Sequence, residues 1–451
     1  MQKFFNNYIN LKSVVFSGIV MEIKRPDYLN KLIAAKDNGL VKVITGLRRC
    51  GKTYLVKKLY SDWLLKNGVR KDNIIYLALD KIGNANYRNP ILLDEYLRDL
   101  ISKRNGRCYI IIDEIQFSVP VDNPALPENV RSEDNRITFY DVLLGLMDDC
   151  DLYVTGSNSK MLSKDILSGF RDRGHEIRVH PLSFSEYFSS VGGDKRTAWM
   201  EYLQHGGMPL VLSFDDRSSK DDYLKNLLLE TYIKDIVEHN GIKNSEDLMH
   251  LMEVLASCSA CLTNPTNIAN TYPGNKISRN TIDSYIGYFK DAFLIEESKR
   301  FDIRGRKIIK GQQKYYFEDL GLMNAVLNFR EMKLRVLIEN AVYNELITRG
   351  YNVDVGRIYY RKRVGDGTIT VTLETDFVVN RSFEKTYIQV ADGIDEPGKL
   401  EQEEASLLRI NDGFGKMILV NTDTPQHYTE NGIRIMSILD FICDKKCLEH
   451  F

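Results

Sequence analysis

The sequence predicts an α/β protein: a parallel sheet first, then a small helical module with a hairpin, then a second α/β sheet. Three observations predict it. Between Met21 and about His180, short apolar runs alternate with helical ones, the pattern of parallel strands covered by helices on both faces. Within that stretch one strand-to-helix junction reads "GLRRCGKT" (46–53), and another strand, "YIIIDEIQ", ends in paired acids. After about residue 313 an amphipathic helix and four more apolar strands follow.

The length of 451 residues exceeds a single hydrophobic core and implies two or three domains. With 43% hydrophobic and 27% charged residues the composition is that of a soluble globular protein. The formal net charge of -1 excludes a polyanion binder acting through its whole surface, so any nucleic-acid contact must come from a local patch. No apolar run is long enough to span a bilayer, and no membrane partner is expected. Residues 1–20 imitate a secretion signal only faintly, because Asn6, Asn7, Asn10 and Lys12 interrupt the apolar part. They are read as an N-terminal extension of a cytoplasmic chain. Seven cysteines are scattered. Cys258 with Cys261 and Cys443 with Cys447 do not supply the four clustered ligands of a zinc site, and they are read as buried thiols on helices in a reducing compartment.

The first domain is expected over 21–185. Its strands are "VKVIT" (41–45), "NIIYLALD" (73–80), "CYIIIDEIQ" (108–116), "LYVTGSNS" (152–159) and "EIRVH" (176–180). "GLRRCGKT" matches G-x-x-x-x-G-K-[ST] between a strand and a helix, where that motif must sit. Its glycines let backbone N–H groups turn inward around phosphates at a helix N-terminus. The predicted ATP-binding stretch is therefore Gly46, Leu47, Arg48, Arg49, Cys50, Gly51, Lys52, Thr53 and Tyr54. Lys52 reaches the β- and γ-phosphates, and the Thr53 hydroxyl holds Mg²⁺.

Asp113 is the expected outer Mg²⁺ carboxylate, and Glu114 the group that polarises the attacking water. "VTGSNS" offers Ser157 and Asn158 as sensors of the γ-phosphate, placed between the loop and Asp113. Arg171 and Arg173 precede the fifth strand. Arg173 is the candidate for a nucleotide-contacting arginine, in its own subunit or a neighbour's, against the plainer reading of a surface ion pair with Asp172 or Glu176.

The stretches "IKRPDYLNKLI", "GLRRCGKT", "IIIDEIQ", "VTGSNSKML", "HPLSFSEYF", "YLQHGGMPLVL", "KYYFEDLGLMNAV", "LIENAVYNEL", "ETDFVV" and "YIQVA" run from about Met21 to the C-terminus. Together they resemble the bacterial and archaeal AAA-type P-loop ATPases whose C-terminal part is a domain of unknown function. That resemblance implies ATP binding by Gly46, Gly51, Lys52 and Thr53, and metal and water handling by Asp113 and Glu114. It supplies no physiological role. One departure is the polar, proline-containing connection 119–136, read as a surface insertion.

Residues 186–240 read as a helical linker, with Gly206, Gly207 and Pro209 as a hinge. Residues 241–312 read as a winged-helix-like module with 278–290 as its recognition helix. Its hairpin, around Arg304-Gly305-Arg306, carries Lys299, Arg300, Arg304, Arg306, Lys307 and Lys310. DNA phosphate contact is assigned to Arg304, Arg306 and Lys307. The competing reading is a protein-binding module, since Glu296, Glu297 and Asp302 are interleaved.

Residues 313–451 resemble the core of restriction-type nucleases, with Glu339 and Asp376 as the acids. Where an E-x-K should supply another acid and a lysine, the chain has Gln389-Val390-Ala391. The expectation is a nuclease-like fold without activity, although Glu374 and Asp392 offer substitute carboxylates. The sequence thus predicts a Mg²⁺-dependent ATPase acting as a nucleotide switch that repositions C-terminal binding domains. An ATP-gated DNA-binding protein and an ATPase-coupled nuclease are the alternatives, and DNA, a protein partner and self-association are the partners to test.

Overall fold

The computed structural model describes residues 14–16, 19–21, 23–156, 169–170, 172–272, 277–330, 333–364 and 367–449. The chain divides into two compact units, Met1–Pro181 and Leu182–Phe451.

In the first unit a short hairpin, β1 (Val14–Phe16) and β2 (Ile19–Met21), precedes a helix over Pro26–Ala35. Then come β3 (Val41–Thr45), β4 (Ile74–Ala78), β5 (Cys108–Asp113), β6 (Cys150–Thr155) and β7 (Gly174–Arg178). They form one all-parallel sheet in the order β4-β5-β6-β3-β7. Every residue of β3, β5 and β6 is buried, as continuous apolar strands between two helical layers must be. Charged residues in these strands are Lys42, Asp113 and Asp151, and the Lys42 ammonium is neutralised by the Asp151 carboxylate on β6.

The strand order matters for the site. β6 lies between β3 and β5, so the loop after β3, the end of β6 and the acids after β5 meet at one edge. The 119–136 connection is mostly exposed and is tied at its root by pairing of Val121 with Ile137.

The second unit begins with helices over Phe184–Val191, Lys195–His205 and Arg217–Leu227. Helices Ser245–Ser257, Pro265–Ala269 and Arg279–Asp291 follow, capped by the side chains of Asn244, Asn264 and Ser278. The hairpin of β8 (Ile295–Asp302) and β9 (Lys307–Phe317) comes next. The expected order of three helices and a hairpin is present. The hairpin differs from a free-standing wing, however, because it belongs to a larger sheet.

That sheet also contains β10 (Asn352–Val364), β11 (Gly367–Arg381), β12 (Glu384–Ala391), β13 (Gly415–Val420), β14 (His427–Tyr428) and β15 (Arg434–Ser437). Its order is β14-β15-β13-β12-β11-β10-β8-β9. β8 joins β10 in parallel through Val355↔Arg300 to Arg357↔Asp302, which is why Leu182–Phe451 forms one unit. β10 and β11 are the longest strands, at 13 and 15 residues, and they outrun their neighbours. β12 pairs with β11 only from Phe377 to Arg381. Rungs from Ile358↔Leu373 to Val364↔Gly367 therefore form a two-stranded arm beyond the sheet.

Candidate nucleotide site

The loop after β3 begins with a steric requirement. Gly46 has φ +127°, and a Cβ there would lie 2.0 Å from the Val179 carbonyl oxygen. Only glycine lets the chain turn against the end of β7 at this point. Gly51 has φ +104° and leads into Lys52–Tyr54, which continues through a π-helical Leu55–Tyr60 into Ser61–Lys66.

Between the glycines, Leu47 and Cys50 are fully buried and anchor the loop. The Cys50 thiol donates to the Val179 carbonyl at 3.2 Å. Their side chains face the core, so from these two residues only backbone is available to a phosphate. Arg49, in the left-handed region at φ +63°, is exposed at the crest; Arg48 is half-buried and Tyr54 partly exposed. The Lys52 side chain turns into the loop, where its ammonium donates to the carbonyls of Gly46 (2.9 Å) and Leu47 (3.0 Å).

Asp113, 4% exposed, ends β5 opposite this loop. The Thr53 hydroxyl donates to its Oδ1 at 3.1 Å, and the Tyr76 hydroxyl on β4 donates to its Oδ2 at 2.6 Å. The Thr155 hydroxyl at the end of β6 also donates to Oδ1, and it accepts the Glu114 N–H at 3.2 Å. Burial, then the Asp113 charge, pushes the Tyr76 phenol well above its ordinary pKa, so it stays a donor. Glu114 has φ +58°, a conformation unfavourable for a residue with a Cβ. This turns its side chain out of the strand, and Gln116 donates to the carboxylate.

Asp113 and Thr53 are thus joined, with Lys52 in the adjoining loop and Glu114 beside them. A hydroxyl, a carboxylate held by further hydroxyls, and a nearby ammonium suit a hard divalent cation bridging phosphate oxygens. Tyr76 and Thr155 were not anticipated. They become visible only when the strands are aligned in register, since Ala78 pairs with Asp113 and Ile112 with Val154.

A third unanticipated residue is Arg25, 2% exposed. Its guanidinium donates to the carbonyls of Cys50 (3.0 Å), His180 (2.9 Å) and Pro181 (3.2 Å), and lies 4.4 Å from the Tyr28 ring centroid. One cation from the N-terminal segment therefore ties the phosphate loop to the end of the first unit.

Arg173 is not brought to the loop. Gly174 pairs with Val41 and Arg178 with Thr45, so Arg173, just before β7, lies at the far end of the strands from the loop. Five parallel residues place it roughly 16 Å from the phosphate-loop end, too far to contact its own subunit's phosphates. The arginine on β7 that does lie beside the loop is Arg178. Ser157, Asn158 and Arg171 lie outside the described residues.

The second unit holds a separate charged cluster. The Lys314 ammonium on β9, 2% exposed, lies 2.7 Å from Glu339 Oε1, 2.8 Å from Glu374 Oε1 and 3.6 Å from Asp376 Oδ1. Tyr316 also donates to Glu339 Oε1 at 2.8 Å, and Asp376 Oδ2 accepts the Val390 N–H at 2.9 Å. Burial, reinforced by Glu339, pushes the Asp376 pKa up to about 7. Burial would lower the Lys314 pKa, but the Glu339, Asp376 and Glu374 charges outweigh it and raise it. A lysine therefore does stand among these acids, supplied by β9 rather than by the 389–391 segment. Gln389 instead offers its carbonyl oxygen to the Asp376 N–H at 3.4 Å.

Arg304, Arg306 and Lys307 are exposed in the β8–β9 turn. Gly206 and Gly207 form a tight corner rather than a loose hinge. A Cβ would lie 2.4 Å from Asp319 Oδ1 at Gly206, and 2.1 Å from the Leu182 carbonyl at Gly207. The Gly207 N–H donates to Asp319 Oδ2 at 2.7 Å.

Residues 38–188 match a family described as an AAA domain, and residues 196–333 match one described as a domain of unknown function, DUF8612. An uncharacterized protein of Haemophilus influenzae is 29% identical over 430 residues, covering 93% of this chain and 98% of its own length. An uncharacterized protein of Methanocaldococcus jannaschii is 29% identical over 426 residues, covering 89% of this chain and 87% of its own. Among solved structures, a Walker-type ATPase of Pyrococcus abyssi aligns over 70% of this chain and 99% of that chain, at 14% identity and a TM-score of 0.46. No helix among the described residues is long and apolar enough to cross a membrane.

Proposed function

We propose that this chain, which carries an AAA domain at residues 38–188, is a Mg²⁺-dependent ATPase whose hydrolysis switches what residues 182–451 bind. The observation that carries the reading is the convergence of Thr53 on Asp113, with Lys52 in the adjoining loop and Glu114 next in the chain. The backbone of 46–51 cradles the phosphates, and Lys52 exchanges its two carbonyl partners for β- and γ-phosphate oxygens. Thr53 and Asp113 would hold a magnesium ion, which would neutralise charge on those oxygens. Glu114 orients the attacking water and takes its proton as the bond from the γ-phosphorus to the bridging oxygen breaks, leaving ADP and phosphate.

Phosphate release and labelled-ATP binding test this in the full chain. Lys52→Ala is expected to lose both. Glu114→Gln is expected to keep binding and lose turnover by about 100-fold or more. Equal phosphate release from wild type and Lys52→Ala would remove the ATPase reading.

Of the two alternatives, DNA binding is favoured by the exposure of Arg304, Arg306 and Lys307. The nuclease reading is disfavoured, because Lys314 already pairs with the acids and two of them are buried, Asp376 at 4% exposed. Mg²⁺-dependent plasmid nicking that disappears in Asp376→Ala would reinstate it.

A further inference from the structure

We propose that the arm formed by β10 and β11, together with the β8–β9 turn beside it, is a docking face for the backbone of duplex DNA. The proposal stands independently of the ATPase reading. It extends the interface from the turn carrying Arg304, Arg306 and Lys307, where the sequence places phosphate contact, onto the β10–β11 arm.

Past Arg357 no strand pairs with the outer edge of β10, and before Phe377 none pairs with the outer edge of β11, among the described residues. The arm is thus a two-stranded ribbon, solvated on both edges. Its register pairs Tyr359 with Thr372, Arg361 with Thr370 and Arg363 with Thr368. Side chains alternate along a strand and cross-strand partners share a face, so these six residues line one side. That side presents two guanidinium groups, three threonine hydroxyls and a phenol, with no carboxylate. Arg361, Arg363, Thr368, Thr370 and Thr372 are all exposed.

At the base of the arm, the Arg304 guanidinium donates to the Tyr359 carbonyl at 3.2 Å. This seats the turn carrying Arg306 and Lys307 alongside the same ribbon. Among the described residues, none of Arg304, Arg306, Lys307, Arg361, Lys362 and Arg363 is ion-paired. The carboxylates at the base are already engaged: Glu374 by Lys314 and Arg357, and Asp302 by the Gly305 N–H. Asp366, the one acid in the sequence between Arg357 and Glu374, lies outside the described residues. On a chain of net charge -1, this is a concentrated run of unspent positive charge.

The chemistry it suits is a regular array of phosphates. Arginine forks and threonine hydroxyls are phosphate-oxygen donors, and they position a duplex without reading its bases. A two-stranded ribbon fits the DNA major groove, about 12 Å wide, whereas the narrow major groove of A-form RNA excludes it. Single strands are held mainly by stacked aromatic rings, and this face offers only Tyr359.

The test is fluorescence anisotropy of a labelled 30-base-pair DNA duplex titrated with the full-length protein at 50, 100 and 200 mM salt. Four phosphate contacts predict roughly 100-fold weakening between 50 and 200 mM. The double variant Arg361→Gln/Arg363→Gln is expected to bind about 10-fold or more weakly at 100 mM, with a salt slope shallower by about 2. Arg304→Gln/Arg306→Gln should act in the same direction. Lys66→Gln/Lys71→Gln, which removes the same charge from exposed sites in the first unit, should change neither. Unchanged melting temperature and ATP binding in the arm variants show that the fold is intact. Absence of binding at 50 mM, arm variants that bind like wild type, or equal loss in the Lys66/Lys71 control would each overturn the proposal. So would equally tight binding of duplex RNA, single-stranded DNA or polyglutamate.

Discussion

Replacing Lys314 by methionine removes the buried cation shared by Glu339, Glu374 and Asp376 while keeping most of the side-chain volume; Arg357 stays paired with Glu374. In the wild type the ammonium sits within 2.7–3.6 Å of Glu339, Glu374 and Asp376 and is 2% exposed. Without it the buried carboxylates of Glu339 and Asp376 face one another out of water, and uncompensated buried charge of this kind costs about 3–5 kcal/mol. For a unit of this size that corresponds to a fall in Tm of roughly 6–20 °C.

The pH dependence identifies the cause. The native pKa of Asp376, about 7, lies above the ordinary 3.8, so between those values the folded state holds a proton that the unfolded state has lost. Its contribution to stability therefore rises as pH falls through 7 toward 4. Lys314 stays charged throughout that window, because its native pKa is raised above 10.5. In Lys314→Met the carboxylates lose their shared cation, and Glu339 and Asp376 take up protons more readily. The gap in Tm between variant and wild type should then narrow from pH 8 to pH 5. Adding Asp376→Asn to Lys314→Met should restore part of the loss, as expected for coupled neighbours. Differential scanning fluorimetry across pH measures all of this. Equal melting temperatures at pH 8, or a gap that does not close on acidification, would refute the assignment of Lys314 as the internal counter-ion.

Three further outcomes follow from other residues. Tyr76→Phe removes one hydroxyl from Asp113 and leaves the sheet intact. ATP turnover should fall by about 3- to 10-fold, from a hydrogen bond to a charged group worth roughly 1 kcal/mol or more, with a higher Mg²⁺ requirement seen in a magnesium titration. Arg25→Met strands three carbonyl acceptors at the loop and at the end of the first unit; about 3 kcal/mol of stability should be lost, and thermal melts with and without ATP should show a weaker nucleotide-induced shift. Burial raises the Asp319 pKa to about 6, so its contribution to stability falls as pH rises from 4 through 6, by on the order of 3 kcal/mol. Asp319→Asn lacks that slope, so its deficit relative to wild type in urea melts should be largest near pH 4 and shrink toward pH 7.

The parts of the site legible in the sequence are those whose chemistry is local. Gly46 to Thr53 are contiguous, and Asp113-Glu114 announce themselves at the end of an apolar strand. Residues recruited through register were not legible. Thr155 and Tyr76 reach Asp113 only because three parallel strands end level. Arg173 precedes β7 in the sequence, but only the parallel pairing of Gly174 with Val41 shows that this end lies away from the phosphate loop.

Lys314 was hidden in the same way. The lysine missing from 389–391 stands 25 positions before Glu339, on a strand whose membership of the sheet depends on β8 pairing with β10. The strands "IYYRKR" and "ITVTLETDFVVN" were readable as strands. Their extension past their neighbours was not, because strand length in the sequence does not reveal where the partner strands stop.

Arg25 bears on how the first unit should be dissected. The matched AAA domain begins at residue 38, and a fragment cut there would discard the guanidinium that holds the carbonyls of Cys50, His180 and Pro181. Such a fragment would keep every motif residue of the phosphate loop and lose the brace behind it. An excised ATPase unit should therefore start ahead of Arg25 and extend through Pro181, or its activity will understate that of the intact chain.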